Sequence, residues 1–331
     1  LKTLCFSSKK HDREYFSRTN EALGLQIDFQ EARLTLETVP LCKGYDCVCV
    51  FVNDQLNSSV LDKLKNYGVR HIALRCAGFN NVNLEHCKAL GISVSRVPAY
   101  SPEAVAEHTI ALMMTLNRKT HKSFNRVREN NFSLDGLVGF NFHGKTVGVV
   151  GSGKIGRCVI NILHGMGCNI FVTDPYPDAS ISQLHNVDYT SIENLLERSD
   201  IITLHCPLTS ESQHLVNEQS IAKMKDNVML INTSRGGLID SKAVIEGLKK
   251  RKIGYLGLDV YEMESELFFE DKSWEIMQDE VFDRLVGFPN VLITGHQGFF
   301  THEALQQIAL TTLQNIKMFN DGKKSEDTFL V

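Results

Sequence analysis

The sequence predicts an α/β protein made of two doubly wound parallel units. Three observations carry that expectation. Short apolar runs rich in β-branched residues alternate with helical stretches along most of the chain, as strands buried on both faces and joined by crossover helices do. A glycine cluster, Gly151-Ser-Gly-Lys-Ile-Gly156, stands mid-chain between one such run and a helical pattern. The 331 residues also exceed what one ordinary core holds, so two domains are expected.

In residues 1–100 the strand candidates are Thr3–Phe6, Asp46–Val52, His71–Leu74 and Ile92–Val94. Helical stretches such as Ser59–Tyr67 and Asn83–Leu90 separate them. No G-x-G-x-x-G occurs here. Arg75-Cys-Ala-Gly-Phe-Asn-Asn81 follows a strand, and such a loop can offer backbone N–H groups to an anion. Taken alone it reads as an ordinary β-to-α turn. Ser101 is a good N-cap and Pro102 suits a first helical position. The helix that follows carries Val105, Ile110, Leu112, Met113, Met114 and Leu116, so it should be buried. Residues 117–143 are basic, with Arg118, Lys119, Lys122, Arg126 and Arg128, and read as a solvated or subunit-facing segment.

Thr146–Val150 reads as a buried strand running into Gly151, Gly153 and Gly156. Ile155, Val159, Ile160 and Leu163 continue at helical spacing. A second run, Asn169–Thr173, ends in Asp174, 18 residues after Gly156. Each part has a task in dinucleotide binding. Gly151 permits the tight turn, Gly153 lets backbone approach a pyrophosphate, and Gly156 lets the helix pack on the strand. The helix start faces the phosphates, and Asp174 accepts from the ribose hydroxyls. A carboxylate there repels a 2′-phosphate, and Pro175 and Tyr176 offer no guanidinium to receive one. NAD is therefore expected over NADP.

Further strand candidates are Ile201–His205, Val228–Asn232, Gly254–Asp259 and Val291–Thr294, giving six with the first two. Functional residues of such sheets gather at the carboxyl ends of strands. That is where His205-Cys-Pro207, Thr233-Ser-Arg-Gly-Gly237, Asp259 and His296 lie. Residues 301–319 form an amphipathic helix capped by Thr301. If that helix returns to the first unit, residues 1–100 and 299–331 make one domain and 101–298 the dinucleotide-binding domain.

A net charge of −4 gives no basic footprint for nucleic acid, and no apolar run reaches transmembrane length. The nine cysteines are odd in number, mostly within apolar runs and without C-x-x-C spacing. They read as reduced thiols in a cytosolic protein, with no metal framework.

Taken together, Gly-Ser-Gly-Lys-Ile-Gly, His-Cys-Pro-Leu-Thr, Asn-Thr-Ser-Arg-Gly, Leu-Asp-Val-Tyr-Glu-Met-Glu and Thr-Gly-His-Gln resemble the D-isomer-specific 2-hydroxyacid dehydrogenases. Cys76–Asn81, Pro98–Glu103 and the insertion Leu267–Ser273 bring the chain nearest the fermentative D-lactate dehydrogenase branch. The resemblance implies two Rossmann-like domains, a flavodoxin-like substrate domain and an NAD-binding domain, with the active site in the cleft. It implies that Arg235 binds substrate, that His296 is the acid/base and that Glu264 is its carboxylate partner. For NAD it adds Lys154 and Ile155 at the pyrophosphate, Cys206 and Pro207 near the adenosine, and Thr233, Ser234, Arg235 and Asp259 toward the nicotinamide half. For substrate it adds backbone groups at Ala77 and Gly78, with Tyr100 nearby. Homodimers or homotetramers are implied as well.

The chemistry has its own logic. A 2-oxo acid carries a carboxylate beside a ketone, and arginine's planar fork grips a carboxylate and polarises the neighbouring carbonyl. Hydride arriving at the carbonyl carbon leaves charge on oxygen, which an imidazolium relieves with a proton. A carboxylate behind the ring fixes its tautomer. Judged singly, each residue has a plainer reading. Arg235 could be a surface charge. Glu264 is one of an acidic group with Glu262, Glu266, Glu270 and Asp271. His205 rivals His296 and is read as cofactor-side packing. The family's spacing of five residues after the strand-end Asp259 selects Glu264. Two departures stand out: Gly298, where many relatives carry a larger residue, and Gly236-Gly237, which reads as a looser turn. The reaction implied is reduction of pyruvate to D-lactate by NADH. The alternatives are a larger 2-oxo acid, or a non-enzymatic NAD(H)-responsive binding protein of the same fold. Phe51, Phe79, Tyr100 and Phe299 are candidates to narrow the pocket.

Overall fold

The computed structural model describes residues 1–264 and 267–331. The chain divides into two units, Leu1–Ser101 with Phe299–Val331, and Pro102–Gly298.

In the first unit five parallel strands form one sheet: β1 (Lys2–Cys5), β2 (Gln26–Phe29), β3 (Cys47–Val50), β4 (His71–Leu74) and β5 (Ser93–Ser95). Their order, β2-β1-β3-β4-β5, is the flavodoxin-like one. Period-2 alternation sorts the side chains onto two faces. Leu4, Val48, Val50, Ile72 and Leu74 pack with Leu61 and Leu64 of the helix Ser58–Asn66. Cys5, Cys47, Cys49 and Ala73 face the other way, against Ile308, Ala309, Leu313 and Ile316 of the helix His302–Asn320. The thiols therefore serve as small core side chains under a helix. Thr301 caps that helix by accepting from the Ala304 amide (3.3 Å). β2 was not among the expected strands. Its residues Gln-Ile-Asp-Phe alternate between exposed and half-buried, and it pairs only with β1. An edge strand of this kind lacks the continuous apolar run of a buried one.

Among the described residues the second unit holds seven parallel strands: β6 (Thr146–Val150), β7 (Asn169–Thr173), β8 (Val187–Tyr189), β9 (Ile201–Leu204), β10 (Val228–Asn232), β11 (Ile253–Leu258) and β12 (Val291–Ile293). The order β8-β7-β6-β9-β10-β11-β12 is the dinucleotide-binding order extended by one strand. The expected count of six becomes seven, because the edge strand β8 is only three residues long. Its Tyr189 reaches the glycine turn: the hydroxyl donates to Ser152 Oγ (2.9 Å) and accepts from the Asp178 amide (2.9 Å).

The helix Pro102–Arg118 buries Val105, Thr109, Leu112, Met113 and Leu116. Lys119, in the left-handed region at φ +50°, ends it. The short helix Thr120–Arg128 then buries nothing. Beyond it Phe132, Leu134 and Val138 are 70%, 79% and 81% exposed. Among the described residues no helix is long and apolar enough to cross a membrane. None of their His, Cys, Asp and Glu side chains forms a group able to hold a metal ion.

Candidate active site

The glycine turn after β6 is built by close approach. Gly151 has φ +97°, and a Cβ there would lie 2.7 Å from the Cys206 amide nitrogen. A Cβ on Gly156 would lie 2.0 Å from the Gly151 carbonyl oxygen, so strand and helix meet only because neither residue has a side chain. Gly153 is different. It is the N-cap of the helix Lys154–Gly165, and nothing stands within 4 Å of where its Cβ would be. That open backbone at a helix start is the shape a pyrophosphate needs. At the end of β7, Asp174 accepts from the amides of Ser152 (2.6 Å) and Tyr176 (2.8 Å), which fixes its carboxylate beside the turn. These residues fit a dinucleotide.

Beyond β9, His205 Nε2 sits 2.9 Å from Thr203 Oγ1. Burial pushes its imidazole down to about 3, so it is neutral near pH 7 and has no proton to give as an acid. Burial also pushes the Cys206 thiol up to about 11. The Cys206 carbonyl accepts from Ser234 Oγ (2.7 Å), which ties the turns after β9 and β10 together. The Pro207 carbonyl accepts from Ser212 Oγ (2.7 Å). Thr109 Oγ1 donates to the Val105 carbonyl (2.8 Å) and therefore accepts from Thr233 Oγ1 (2.8 Å).

Three neighbouring strands bring the chemistry to one edge. Asn232 of β10 is in register with Leu258 of β11, and Leu258 with Ile293 of β12. Arg235, Asp259 and His296 follow those ends by three, one and three residues. At about 4.8 Å per strand, the segments leading to Arg235 and His296 leave the sheet roughly 10 Å apart. Asn232 Nδ2 donates to the Arg235 carbonyl (2.8 Å), and Arg235 Nη1 donates to the Ser234 carbonyl (2.7 Å). Gly236 is no looser turn. A Cβ there would lie 2.1 Å from the Tyr261 carbonyl carbon, so the segment leading to Glu264 is packed directly on the arginine turn.

His296 Nδ1 lies 2.9 Å from Glu264 Oε1, while Glu264 Oε2 accepts from the Tyr261 amide (2.9 Å). Both side chains are mostly buried. A carboxylate so placed holds Nδ1–H of the ring. Two other acids of the group are placed elsewhere. Glu262 pairs with His214 (2.6 Å) and Ser241 (3.2 Å), and Asp271 accepts from Ser273. Glu266 lies outside the described residues.

His296 itself has φ +53°, a left-handed conformation uncommon for a residue with a side chain. Asp259 holds the loop in place. Its Oδ1 accepts from Thr294 Oγ1 (2.5 Å) and the Gln297 amide (2.9 Å), and its Oδ2 from the Gly298 amide (2.8 Å). Burial alone would raise the Asp259 carboxyl, but hydrogen bonds from His108 and Thr294 outweigh it and hold the group below its usual range. Gly298 has a reason as well, since a Cβ there would stand 3.0 Å from Asp259 Oδ2.

Ala77, Gly78 and Tyr100 belong to the first unit. The Ala77 carbonyl accepts from Arg96 Nη1 (3.1 Å), the Gly78 carbonyl from Cys76 Sγ (3.3 Å), and the Tyr100 and Phe299 rings are 6.3 Å apart. The pocket candidates Phe51, Phe79 and Phe299 also belong to the first unit, whereas every expected catalytic and cofactor-binding residue belongs to the second unit. Sequence reasoning missed Tyr189, Thr109, Thr294 and His108. Of these only Thr294 sits in a motif, Thr-Gly-His-Gln, where it was given no role, and each acts through a partner distant in the chain.

Residues 110–298 match the family model described as "D-isomer specific 2-hydroxyacid dehydrogenase, NAD binding domain". The chain is 52% identical to a D-lactate dehydrogenase of Escherichia coli over 323 residues, 98% of each chain. The apo structure of D-lactate dehydrogenase from Escherichia coli superposes with a TM-score of 0.91 at 49% identity, covering 100% of both chains. A D-lactate dehydrogenase from Aquifex aeolicus, solved with NAD and lactic acid, superposes at 0.88 with 32% identity and 99% of both chains covered. The chain therefore belongs to the D-isomer-specific 2-hydroxyacid dehydrogenase family, with its NAD-binding domain in the second unit.

Proposed function

We propose that the protein is an NAD-dependent D-lactate dehydrogenase, interconverting pyruvate, NADH and a proton with D-lactate and NAD. The observation that carries this reading is the His296–Glu264 pair at 2.9 Å, on the sheet edge that also bears Arg235. When bound, NADH supplies the hydride to the carbonyl carbon. Arg235 grips the substrate carboxylate and polarises the ketone. His296 Nε2 gives a proton to the carbonyl oxygen as charge develops there, and takes it back in the reverse direction. Glu264 orients the ring and balances its charge.

In this reading the second unit takes NAD through Gly151, Gly153, Lys154, Ile155, Gly156 and Asp174, with Cys206, Pro207, Thr233, Ser234 and Asp259 farther along the cofactor. One lone pair of Asp259 Oδ2 is left beyond its bond from Gly298, enough for a carboxamide. Ala77 and Gly78 of the first unit serve the substrate carboxylate by backbone N–H groups, with Tyr100 beside the substrate. A homodimer or homotetramer belongs to the same reading, supported by the exposed Phe132, Leu134 and Val138. So does a cytoplasmic setting, supported by nine cysteines of which none is in a disulfide.

The test is a panel of 2-oxo acids with NADH and NADPH, followed by chiral analysis of the product. Pyruvate with NADH should give D-lactate at the highest kcat/KM. Preference for a branched 2-oxo acid would move the assignment within the family. Cofactor binding without turnover on any 2-oxo acid would replace the enzyme by a binding protein.

A further inference from the structure

We infer that His108 is a positioning residue for the loop that carries His296, acting through Asp259 and Thr294; this rests on the acid/base reading of His296. His108 lies on the helix Pro102–Arg118, 186 residues before Thr294. Its Nε2 is 3.1 Å from Thr294 Oγ1 and 3.2 Å from Asp259 Oδ1.

Donor counting fixes who gives the proton. Thr294 has one hydroxyl proton, and the 2.5 Å contact commits it to Asp259. Ionised Asp259 has none. His108 Nε2 must therefore carry a hydrogen, shared between the two oxygens. Asp259 is 1% exposed, so its charge depends on the donors around it. Two of those donors, the Gln297 and Gly298 amides, immediately follow His296. Thr294 lies two residues before His296, and its carbonyl accepts the His296 amide (3.0 Å). The left-handed turn at His296 is thus clamped on both sides by one carboxylate, and His108 supplies that carboxylate with a donor from a different element. His108 also packs beside Gly298, where a Cβ would stand 3.5 Å from its Cδ2. A role in filling space must therefore be separated from a role in donating.

Two variants make the separation. His108→Phe keeps a ring and removes the donor. His108→Gln restores an amide N–H at the reach of Nε2. For His108→Phe, kcat with pyruvate should fall roughly ten- to a hundredfold, the range to which a lost hydrogen bond to a charged group converts. Its Kd for NADH, read by fluorescence titration, should stay unchanged. In cofactor-free protein the Gln297 and Gly298 amides should exchange with deuterium faster than in wild type. His108→Gln should recover most of the rate and the protection. The inference is overturned if His108→Phe keeps wild-type kcat and amide protection, or if both variants are equally impaired and lose NADH affinity too. His296→Gln serves as control. Turnover in that variant would sink the acid/base reading, while amide exchange in the His108 variants would still decide whether His108 holds the loop.

Discussion

Replacing Glu264 by glutamine tests whether the carboxylate acts as a double acceptor. Its two oxygens receive two donors, the His296 Nδ1–H at 2.9 Å and the Tyr261 amide at 2.9 Å. A glutamine side chain has nearly the same shape but one acceptor oxygen and one NH2 group. Whichever way the amide turns, one donor meets another donor. If NH2 faces the imidazole, the lost charge-assisted bond is worth about 1.5–3 kcal/mol and falls on the reaction. That is roughly ten- to a hundredfold in kcat at about 1.4 kcal/mol per factor of ten. If NH2 faces Tyr261 instead, the imidazole keeps a weaker neutral bond and part of the cost appears as lost stability. The assay is therefore kcat for pyruvate reduction beside the thermal midpoint and the NADH Kd. Glu264→Gln should lower kcat, lower the midpoint modestly and leave NADH binding alone. Glu262→Gln, whose parent pairs with His214 and Ser241, should leave kcat near wild type. Full turnover in Glu264→Gln, or equal losses in both variants, would refute the double-acceptor argument.

Gly156→Ala should abolish measurable NADH binding and lower the thermal midpoint. Its Cβ would sit 2.0 Å from a backbone oxygen that cannot rotate away, so the helix start must move off the strand; calorimetry with NADH checks this, and near-native affinity would contradict it. Stability should fall in acid because two imidazoles are buried neutral. Burial pushes both His71 and His205 down to about 3 in the folded chain, against about 6.5 when unfolded. Their contribution is complete above the unfolded value and is lost as pH falls toward the folded one, by up to about 1.4 kcal/mol per pH unit for each ring. His71→Phe should flatten urea-midpoint against pH between pH 6 and 4 relative to wild type, and an unchanged slope would refute the assignment.

The strands most legible in the sequence were those buried on both faces. Thr146–Val150 and Val228–Asn232 are continuous apolar runs, Asn169–Thr173 keeps an apolar Ile-Phe-Val centre with one face half-exposed, and the structure has all three with the same ends. β2 and β8 were not legible because an edge strand needs only one covered face and few residues. The glycine turn could be read from its spacing, although the Cys206 backbone that a Cβ on Gly151 would meet comes from a different strand end. Glu264 could be chosen only through the family's spacing, because a row of acids carries no mark of which one meets a histidine 32 residues later. His108 could not be read at all. On its helix it looks like one polar residue among apolar ones, and only the register of β11 with β12 brings Asp259 and Thr294 to it. Gly236 was read as looseness when it is the opposite, a contact with a backbone that lies far along the chain.

The central claim is that His296 moves the proton for a hydride transfer to a 2-oxo acid. The most direct measurement is single-turnover reduction of pyruvate by NADH bound to His296→Gln, with NADH affinity measured in parallel. Affinity close to wild type with the reduction rate lower by roughly a thousandfold or more, within the contribution of about 10²–10⁴ expected of a positioned general acid, is the predicted result. An unchanged reduction rate in that variant would contradict the account.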